Sequence, residues 1–344
     1  MNPRVSVILG CRNEARFIGP CIDSFLATDY PKDQIELLVV DGCSNDATRE
    51  VVQRYADRYP WIRLLDNPQR IVPTALNIGI RASRGEIIVR MDAHVVYPPD
   101  YIPKLVHALD TTDADNVGGR MLTVPATRAP MAEAIAMALS HPFGVGNSWF
   151  RIGTPEPRYV DTVPFGCWRR ELFQRIGLFD EELVRNQDEE LNYRLSAAGG
   201  KILLLPDVVS YYYARESPRL AARMLYQYGY FKPLVARKIG RIMTTRQLVP
   251  AAFVLSLALG AGLVLARPHL WPLPAIMLLT YLAAMLASSV GAIRSRGWRR
   301  GLAMAGVFPV LHVAYGYGFL HGLWNVFVNH RTRWRDPTAV PLTR

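Results

Sequence analysis

The sequence predicts an α/β protein, with a mostly parallel sheet between helices, that continues into C-terminal transmembrane helices. Three observations predict this fold class. Strand patterns alternate with helix patterns over residues 1–120, long uncharged stretches follow residue 247, and the charge changes sign between these parts. Half of the 344 residues are hydrophobic and a fifth are charged, which excludes disordered, collagen-like and coiled-coil chains. The length suits about two domains.

The strand patterns of the first part are continuously apolar, as in VSVIL and ELLVV. Continuous apolar strands that alternate with helices indicate a parallel sheet that is covered on both faces. We predict strands at 5–9, 36–40, 61–66, 86–92 and 116–122, and helices near 18–27, 47–59, 74–81 and 101–109.

Polar residues follow these strands, at the edge where parallel sheets bind their ligands. Neither a GxGxxG nor a GxxxxGK[ST] motif occurs, which disfavours a dinucleotide-binding fold and a P-loop NTPase. The four cysteines lack paired spacing, which excludes a disulfide scaffold and disfavours a zinc site. We expect one site at the strand ends, formed by Asn13, Glu14, Asp41, Gly42, Asp66, Asn67, Asp92 and His94.

The pattern changes after residue 160. A strand at 160–163 precedes GCWRR, and a short helix then ends at Gly177, a typical stop residue. The next helix opens at QDEELNYR, where Asp188 and Glu189 are favoured by the helix dipole, which we take to be the role of Glu189. Strands near 201–205 and 208–214 close this first domain, which we bound at residues 1–215.

Two uncharged stretches, Leu248–Ala266 and Pro268–Ile293, reach the ~20 apolar residues that cross a ~30 Å hydrocarbon layer. A third, Gly301–Asn329, contains a proline and several glycines. The third stretch fits either one tilted span or a kinked, re-entrant segment. The predicted transmembrane region is 247–330, with spans at about 248–266, 270–293 and, in the first alternative, 302–328.

Arginine placement predicts the orientation. Residues 294–300 hold four arginines and should face the cytoplasm, which puts everything before Leu248 on the same side. The apolar run Val5–Leu9 is too short for a signal peptide. A tilted third span would put the basic tail, 331–344, outside, whereas a re-entrant segment would put it inside. The sequence leaves both alternatives open.

Residues 217–344 carry sixteen Lys and Arg against one acidic residue, Asp336. Such a bias indicates nucleic acid or an anionic membrane surface. Because the basic segment 216–246 runs directly into a membrane helix, we predict an amphipathic interfacial segment that contacts membrane lipids, and no nucleic acid partner. Its basic residues at the lipid interface are Arg219, Arg223, Lys232, Arg237 and Lys238.

Six stretches within residues 3–215 together resemble the family 2 glycosyltransferases of the GT-A fold, the nucleotide-diphospho-sugar transferase fold. They resemble more narrowly the succinoglycan-type (ExoA-like) bacterial exopolysaccharide transferases. The stretches are VSVILGCRNEARFIGPCIDSF, IELLVVDGCSNDAT, NPQRIVPTALNIGI, GEIIVRMDAH, FGCWRRELFQRIGLFDEEL and QDEELNYRL.

The resemblance implies an inverting hexosyltransferase with a nucleotide-sugar donor, usually a UDP-sugar, and a divalent metal (Mn²⁺ or Mg²⁺). Asp188 would be the general base. Asp92 would face the diphosphate through the metal, whose charge stabilises the leaving group. The implied donor-binding residues are Asn13, Glu14, Asp41, Asn77, Gly79 and Asp92, and the implied acceptor-binding residues are Gly166, Trp168 and Arg169.

Two residues depart from the family pattern. His94 stands where a second Asp is usual, so that Asp92 and His94 would hold a cation, with imidazole favouring manganese. Alternatively, Asp92 alone contacts the metal and His94 contacts phosphate or acceptor. Gln187 stands where a Glu often precedes the base, and the loss of this negative charge should make Asp188 easier to ionise.

The resemblance does not identify the acceptor. The Gln-x-x-Arg-Trp motif of processive synthases is missing and the spans are few, which favours transfer of one sugar to a polyprenyl-diphosphate-linked saccharide at the cytoplasmic face of the bacterial inner membrane. Residues 131–150 would serve as an acceptor gate or as ordinary core. Two alternatives are transfer to a polyprenyl monophosphate, which needs no base, and a non-catalytic sugar-nucleotide-binding membrane protein. The sequence does not fix the oligomeric state.

Overall fold

One sheet organises the N-terminal part of the chain in the computed structural model, which describes residues 3–241 and 244–328. Within those ranges the sheet has nine strands. They are β1 (Val5–Cys11), β2 (Ile35–Asp41), β3 (Ile62–Asp66), β4 (Ile87–Asp92), β5 (Val95–Val96), β6 (Asn116–Val124), β7 (Arg158–Tyr159), β8 (Cys167–Arg169) and β9 (Ile202–Tyr213).

Helices cover this sheet and then continue beyond it. Those of the first domain are α1 (Ile18–Leu26), α2 (Thr48–Arg58), α3 (Val72–Ala82), α4 (Tyr101–Thr111), α5 (Pro130–Ala138), α6 (Pro142–Val145), α7 (Trp149–Ile152), α8 (Leu172–Ile176) and α9 (Gln187–Ala197). They are followed by α10 (Pro218–Ile239), α11 (Val249–Ala266), α12 (Pro272–Arg296) and α13 (Trp298–Phe327).

The strand order is β3-β2-β1-β4-β8-β6-β9-β5, with β7 beside β9. Strands β1 to β4 are parallel, and β8 pairs antiparallel with both β4 and β6. The register pairs Cys11 with Asp41, Asp41 with Asp66, and Gly10 with Asp92. The acidic ends of β2, β3 and β4 therefore lie level with one another at one edge of the sheet.

The five strands and four helices predicted for the first 122 residues are confirmed, with ends shifted by a few residues. The strand predicted at 160–163 is wrong: pairing with β9 lies at Arg158–Tyr159, and Thr162, Val163 and Pro164 line a cavity instead. Separate strands at 201–205 and 208–214 are also wrong. Strand β9 is continuous, and Pro206 lies where its register against β6 shifts between Gly119 and Arg120, so that a bulge accommodates the missing N–H.

Three helices at the C-terminal end are long and apolar enough to cross a membrane, by length and composition: Thr245–Ala266, Pro268–Arg296 and Trp298–Phe327. The first two are mostly exposed, whereas Met304, Val307, Phe308 and Leu311 of α13 join the main core of the sheet domain. The predicted basic tail, 331–344, lies outside the described residues.

Candidate active site

A cavity of about 670 Å³ begins at the acidic sheet edge and ends between the membrane helices. Residues after β1, β3 and β4 line its sheet end, among them Arg12, Asn67 and Asp92. Phe253 of α11, Tyr281 of α12 and His312 of α13 line its other end. One continuous space thus joins the place where a ligand of a parallel sheet binds to the apolar part of the molecule.

The loops after β1 and β2 brace each other at the sheet end. Asn13 has a positive φ of 55°; its N–H donates to Ser44 Oγ (2.9 Å) and its Oδ1 accepts from the Asn45 N–H (2.9 Å). Asp41 is fully buried, accepts from the Ser44 N–H (3.0 Å) and pairs with Arg49 Nη1 (3.0 Å). The adjacent Gly42 lines the cavity and Asp41 lies behind it, so that Asp41 holds the loop shape.

Asp92 and Asp188 meet through an arginine that the motifs did not single out. Arg90 lies two residues before Asp92 on β4, and its side chain is 7% exposed. Its Nε donates to Asp92 Oδ1 (3.1 Å), and its Nη1 bonds to Asp188 Oδ1 at the start of α9. The guanidinium thereby holds both carboxylates at the cavity wall, although they are 96 positions apart in the chain.

Burial raises the pKa of Asp188 above its ordinary value, and the nearby Asp92 acts in the same direction. The Arg90 charge and hydrogen bond oppose this rise. A carboxylate with a raised pKa that faces a cavity can accept a proton from a ligand hydroxyl more readily than an ordinary aspartate can. The arrangement therefore suits general-base chemistry at Asp188.

His94 and Glu14 form a second pair in the cavity wall. His94 Nδ1 is buried and makes no hydrogen bond by strict geometry, and it lies 3.4 Å from Glu14 Oε1. In the described ranges, no three His, Cys, Asp or Glu side chains cluster closely enough to hold a metal by themselves. A cation bound between Asp92 and His94 would need further oxygen ligands from the bound substrate.

Of the six predicted donor residues, Glu14 and Asp92 line the cavity, whereas Asn13, Asp41, Asn77 and Gly79 do not. Asn77 donates to Phe179 O (2.9 Å) and Glu181 Oε1 (2.8 Å) and accepts from the Phe179 N–H (3.0 Å). A Cβ on Gly79 would lie 2.4 Å from Ile8 Cγ2, because α3 packs closely on β1 at this point. The structure thus gives Asn77 and Gly79 close partners within the protein.

The predicted acceptor residues surround β8. Gly166 has a φ of 92° and packs against the Trp168 ring, which is buried in a second core with Phe173 and Phe179. Arg169 points away from the cavity and pairs with Asp110 (2.8 Å). The preceding residues Pro164 and Phe165 line the cavity instead. The structure therefore does not bring these three predicted residues to the cavity.

Helix α9 carries a further acidic group that the sequence analysis assigned to the helix dipole. Glu189 is buried beside Asp188, bonds to Lys232 of α10 and accepts from Gln247, which lies just before α11. The first turn of α9 is thereby attached both to α10 and to the segment just before α11. No local motif marks this contact, because the partners are 43 and 58 positions away.

The cavity wall is rich in positive charge. In the part of the chain that the structure describes, it carries eight Lys and Arg side chains against four acidic ones. An excess of cations in a partly enclosed space favours polyanionic ligands such as diphosphates. The basic residues are Arg12, Arg70, Arg90, Arg151, Arg185, Arg215, Lys232 and Arg246, and the acidic residues are Glu14, Asp92, Asp188 and Glu189.

The predicted lipid-interface residues of α10 divide into two groups. Arg219 is exposed and Arg223 is half-buried. The other three face the protein: Lys232 bonds to Glu189, Lys238 pairs with Asp180 (2.6 Å) and Glu182 (2.7 Å), and Arg237 donates to Val326 O (2.9 Å). Much of the basic character of α10 therefore attaches this helix to the sheet domain and to α13.

Residues 131–150, predicted as an acceptor gate or as ordinary core, contribute to both the core and the cavity wall. Ala134, Ile135 and Ala138 of α5 are buried in the main core. Phe143 and Gly144 of α6 line the cavity, and His312 Nε2 donates to the Phe143 carbonyl oxygen (2.8 Å). The core half thus positions the cavity-lining half against α13.

Comparison with known proteins finds a family match over the N-terminal part of the chain. The model of the family described as "Glycosyl transferase family 2" matches residues 6–175. The succinoglycan biosynthesis protein ExoA of Rhizobium meliloti (strain 1021) is 29% identical over 329 residues, which is 95% of this chain and 96% of that protein. A dolichyl N-acetyl-α-D-glucosaminyl phosphate 3-β-D-2,3-diacetamido-2,3-dideoxy-β-D-glucuronosyltransferase of Methanococcus voltae is 24% identical over 328 residues, covering 93% and 97% of the two chains.

Solved structures show the same fold. Mannosyltransferase PcManGT from Pyrobaculum calidifontis, in complex with GDP-Man and Mn²⁺, has a TM-score of 0.57 at 22% identity and covers 94% of this chain and 88% of its own. S. aureus TarS 1–349, in complex with UDP-GlcNAc, has a TM-score of 0.51 at 15% identity, with 92% and 90% covered. At these identities the likeness concerns the fold alone. The predicted GT-A architecture with C-terminal membrane helices is confirmed.

Proposed function

We propose that this chain, whose residues 6–175 match glycosyltransferase family 2, moves one sugar from a nucleotide-diphosphate sugar to a saccharide carried by a polyprenyl diphosphate, with inversion at the anomeric carbon. One observation carries this proposal. A single cavity runs from the acidic sheet edge, past Asp188, to side chains of three apolar helices. A soluble donor and a membrane-held acceptor would reach such a cavity from opposite ends.

The sheet end suits the donor. Arg12 lies in the cavity wall, and its buried Nε has no hydrogen-bond partner among the described residues, so that an anionic ligand would satisfy it. The titles of two similar structures name GDP-Man and UDP-GlcNAc as bound donors. We propose a UDP-sugar here, with its diphosphate near Asp92 and Arg12 and its nucleoside over the loops that Asn13 and Asp41 brace.

The residues present fit a divalent metal. Asp92 offers a carboxylate at a strand end, and the buried Nδ1 of His94 is without a hydrogen-bond partner. Mg²⁺ and Mn²⁺ commonly use one or two protein carboxylates together with substrate phosphates. We propose that Asp92, with His94, holds the cation. When bound, it would neutralise charge on the leaving diphosphate.

The protein groups supply the proton chemistry. The acceptor hydroxyl oxygen forms the new bond to the anomeric carbon as the bond from that carbon to the diphosphate oxygen breaks. Asp188 takes the hydroxyl proton, and the nucleoside diphosphate leaves with the bonding electrons. Arg90 is a positioning residue, since its two carboxylate contacts set the distance between the base and the diphosphate side of the site.

The membrane end suits a lipid-linked acceptor. Arg185, Arg215 and Lys232 line the cavity between Asp188 and the apolar helices, where they would face the phosphates of a polyprenyl diphosphate. Phe253 stacks on Tyr281 with ring centroids 4.4 Å apart, and this pair would contact the first isoprene units. The name of the methanococcal relative describes transfer to a sugar already carried by dolichyl phosphate, which supports a saccharide acceptor over a bare lipid phosphate.

The test is a matrix of donors and acceptors. Full-length protein in liposomes is incubated with radiolabelled nucleotide sugars, with Mn²⁺, Mg²⁺ or EDTA, and with either a polyprenyl-diphosphate-linked saccharide or a polyprenyl monophosphate. A metal-dependent product that is heavier than the linked saccharide by one sugar supports the proposal. A product on the monophosphate alone would establish the rival lipid-phosphate activity, and donor binding without any product would establish a non-catalytic protein.

A further inference from the structure

The third apolar helix differs from the other two in how it contacts the sheet domain. Of its most apolar window 44% is buried, against 11% for the α11 window and 6% for the α12 window. The buried residues recur along the whole of α13, from Gly301 to Val326. A helix that crosses a membrane away from its domain would be buried mainly at one end. The burial along all of α13 therefore indicates a different position relative to the membrane.

Both ends of α13 are attached to elements of the same domain. Near its start, Arg300 pairs with Glu133 of α5 (2.6 Å). Near its end, Arg237 of α10 donates to Val326 O (2.9 Å). At 1.5 Å per residue these two attachment points are ~39 Å apart, which exceeds the ~30 Å thickness of the hydrocarbon layer.

The contacts between these two points are continuous. Phe308 packs against Phe143 of α6 (4.9 Å between centroids), and a Cβ on Gly318 or Gly322 would lie 2.2 or 2.1 Å from the carbonyl oxygen of Tyr226 or Tyr230 of α10. Backbones approach this closely only where one helix presents glycine. Helix α13 therefore follows the domain surface over its full length.

Two helices on which α13 packs, α5 and α10, belong to the sheet domain and its charged surface. Helix α5 contributes Ile135 to the main core, and α10 contributes Met224 there and ion pairs from Lys232 and Lys238 to the domain. If α13 crossed the bilayer, one of its two attachment points would be carried through the hydrocarbon together with the domain surface that holds it. Burying such charges in lipid is costly, so α13 cannot run along the membrane normal.

The face of α13 that points away from the domain is apolar. At 100° per residue its large exposed apolar side chains fall within about 120° of one another, which makes one stripe. Aromatic residues with polar atoms occur near both ends of the stripe, a composition typical of the membrane–water interface. The stripe consists of Trp298, Leu302, Val313, Tyr317, Leu323, Trp324 and Phe327.

We propose that α13 does not cross the membrane but lies in its interface, with this stripe inserted into the leaflet that faces the sheet domain. The lipid leaflet is the occupant because the stripe is continuous with two helices already committed to the membrane: Pro250 of α11 packs on Gly316, and Ile293 of α12 packs on Gly301. Only α11 and α12 then cross, as a hairpin. The C-terminal end of α13 accordingly lies on the side of the sheet domain.

The placement also sets the height of the cavity. His312 of α13 lies in the cavity wall, with Nδ1 2.9 Å from Tyr281 Oη and Nε2 2.8 Å from Phe143 O. An α13 that lies in the interface puts this end of the cavity at headgroup depth. A lipid-linked ligand could then enter sideways from the leaflet without leaving it.

The test measures depth. Nitroxide labels are attached at Leu302→Cys and Leu323→Cys, two stripe positions ~32 Å apart along the helix, in full-length protein that carries Cys43→Ser and is reconstituted in liposomes. Cys43 is removed because it is the exposed one of the four cysteines. Accessibility to oxygen and to a nickel chelate gives the depth of each label. We expect the same interfacial depth for both, within about 5 Å.

A matched pair on α11 calibrates the measurement. Leu255→Cys and Leu265→Cys are also exposed positions, and a crossing helix should separate their depths by ~15 Å. Depths for the two α13 labels that differ by most of their ~32 Å separation would overturn the proposal, and so would shielding of both labels from oxygen and nickel, which would mean that protein covers the stripe.

Sidedness gives an independent readout that does not require a label on α13. In sealed proteoliposomes, an impermeant maleimide should modify Thr338→Cys, which lies outside the described residues, from the same side as native Cys43. His269→Cys, in the turn between α11 and α12, should react from the opposite side. Modification of Thr338→Cys from the His269 side would show that α13 crosses. These results do not depend on the proposed activity, since neither experiment uses substrate.

Discussion

The two ends of the cavity are built in different ways. At the sheet end, the acidic side chains other than Asp188 of α9 lie on or directly after neighbouring parallel strands, and the strand register alone puts the ends of β2, β3 and β4 level. At the membrane end, the wall is assembled from α9, α10, α11, α12 and α13, whose contributing residues are separated by up to 128 positions, from Gln187 to Tyr315. One end is a property of the sheet, and the other is a property of tertiary packing.

This difference teaches where chemistry and specificity are expected to reside. The sheet end pairs its charges tightly, as in Arg90 with Asp92 and Asp188. The membrane end combines cations with aromatic rings and has apolar helices as its boundary. Changes at the sheet end should therefore abolish turnover, whereas changes at the membrane end should mainly alter acceptor affinity. Each variant below tests that division.

The largest expected effect is that of Asp188→Asn. The substitution keeps the shape of the side chain and removes the proton acceptor, so that kcat should fall by about 10³-fold while donor binding stays nearly unchanged. Transfer is measured with the lipid-linked saccharide, and donor affinity by calorimetry. The surface variant Asp110→Asn is the control and should keep full activity. Full activity of Asp188→Asn would remove Asp188 from the mechanism.

The next effect is that of Arg90→Met, which leaves two partly buried carboxylates without their shared cation. Removal of one partner from a buried ion pair costs about 3 kcal/mol or more of unfolding free energy. Thermal unfolding in detergent should show this loss. The control Arg169→Met breaks the ion pair between Arg169 and Asp110, whose side chains are 46% and 39% exposed, respectively. It should cost under ~1 kcal/mol of unfolding free energy.

A pH profile separates positioning from stability in the Arg90 variant. In the native protein, burial raises the pKa of Asp188 and the Arg90 charge lowers it. Transfer needs the ionised carboxylate, so activity is lost as the pH falls through the pKa of Asp188. Without Arg90 that pKa rises further, and the acidic limb of the kcat profile should move to higher pH. An unmoved limb would mean that Arg90 only supports the fold.

The sheet end could be predicted from sequence to a large extent, and the membrane end could not. Strand patterns suffice to bring Asp92, His94 and Glu14 to one edge, and Asp188 joins them in the same cavity. Arg90 carried a usable signal that was missed: a charged residue in an apolar strand, two positions from Asp92 and hence on the same face. Arg185, Arg215 and Arg246 carried none, since their convergence depends on how α10 packs.

Tertiary packing also explains why some predicted site residues lie away from the cavity in the structure. Asn77 and Trp168 stand in stretches that resemble the family, yet both lie in contacts that hold loops and core together. A sequence pattern records that a residue type suits a position, but it does not distinguish a ligand contact from a structural one. In the structure both residues contact Phe179.

A smaller effect is expected where α10 meets α13, the contact that shapes the membrane end. Gly322→Ala places a methyl group 2.1 Å from Tyr230 O, and overpacking of this kind costs about 2 kcal/mol. Gly306→Ala on the same helix has nothing within 4 Å and should be neutral or slightly stabilising. Thermal unfolding in detergent compares the two. Equal stabilities would show that α13 does not pack on α10 as described.

The smallest kinetic effect we predict is that of Lys232→Met, which tests the membrane end directly. Because the variant leaves the buried Glu189 without its cation, its thermal unfolding is measured as well. The variant removes one cation near Glu189 but keeps most of the side-chain volume, so that KM for the lipid-linked acceptor should rise about tenfold, the loss of one charge-assisted contact to phosphate. Donor KM should stay unchanged. Lys238→Met is the matched control, because Lys238 pairs with Asp180 and Glu182 away from the cavity wall and should leave both constants unaltered. A rise in donor KM in place of acceptor KM would mean that the two ends of the cavity share one phosphate site, and the division between them would fail.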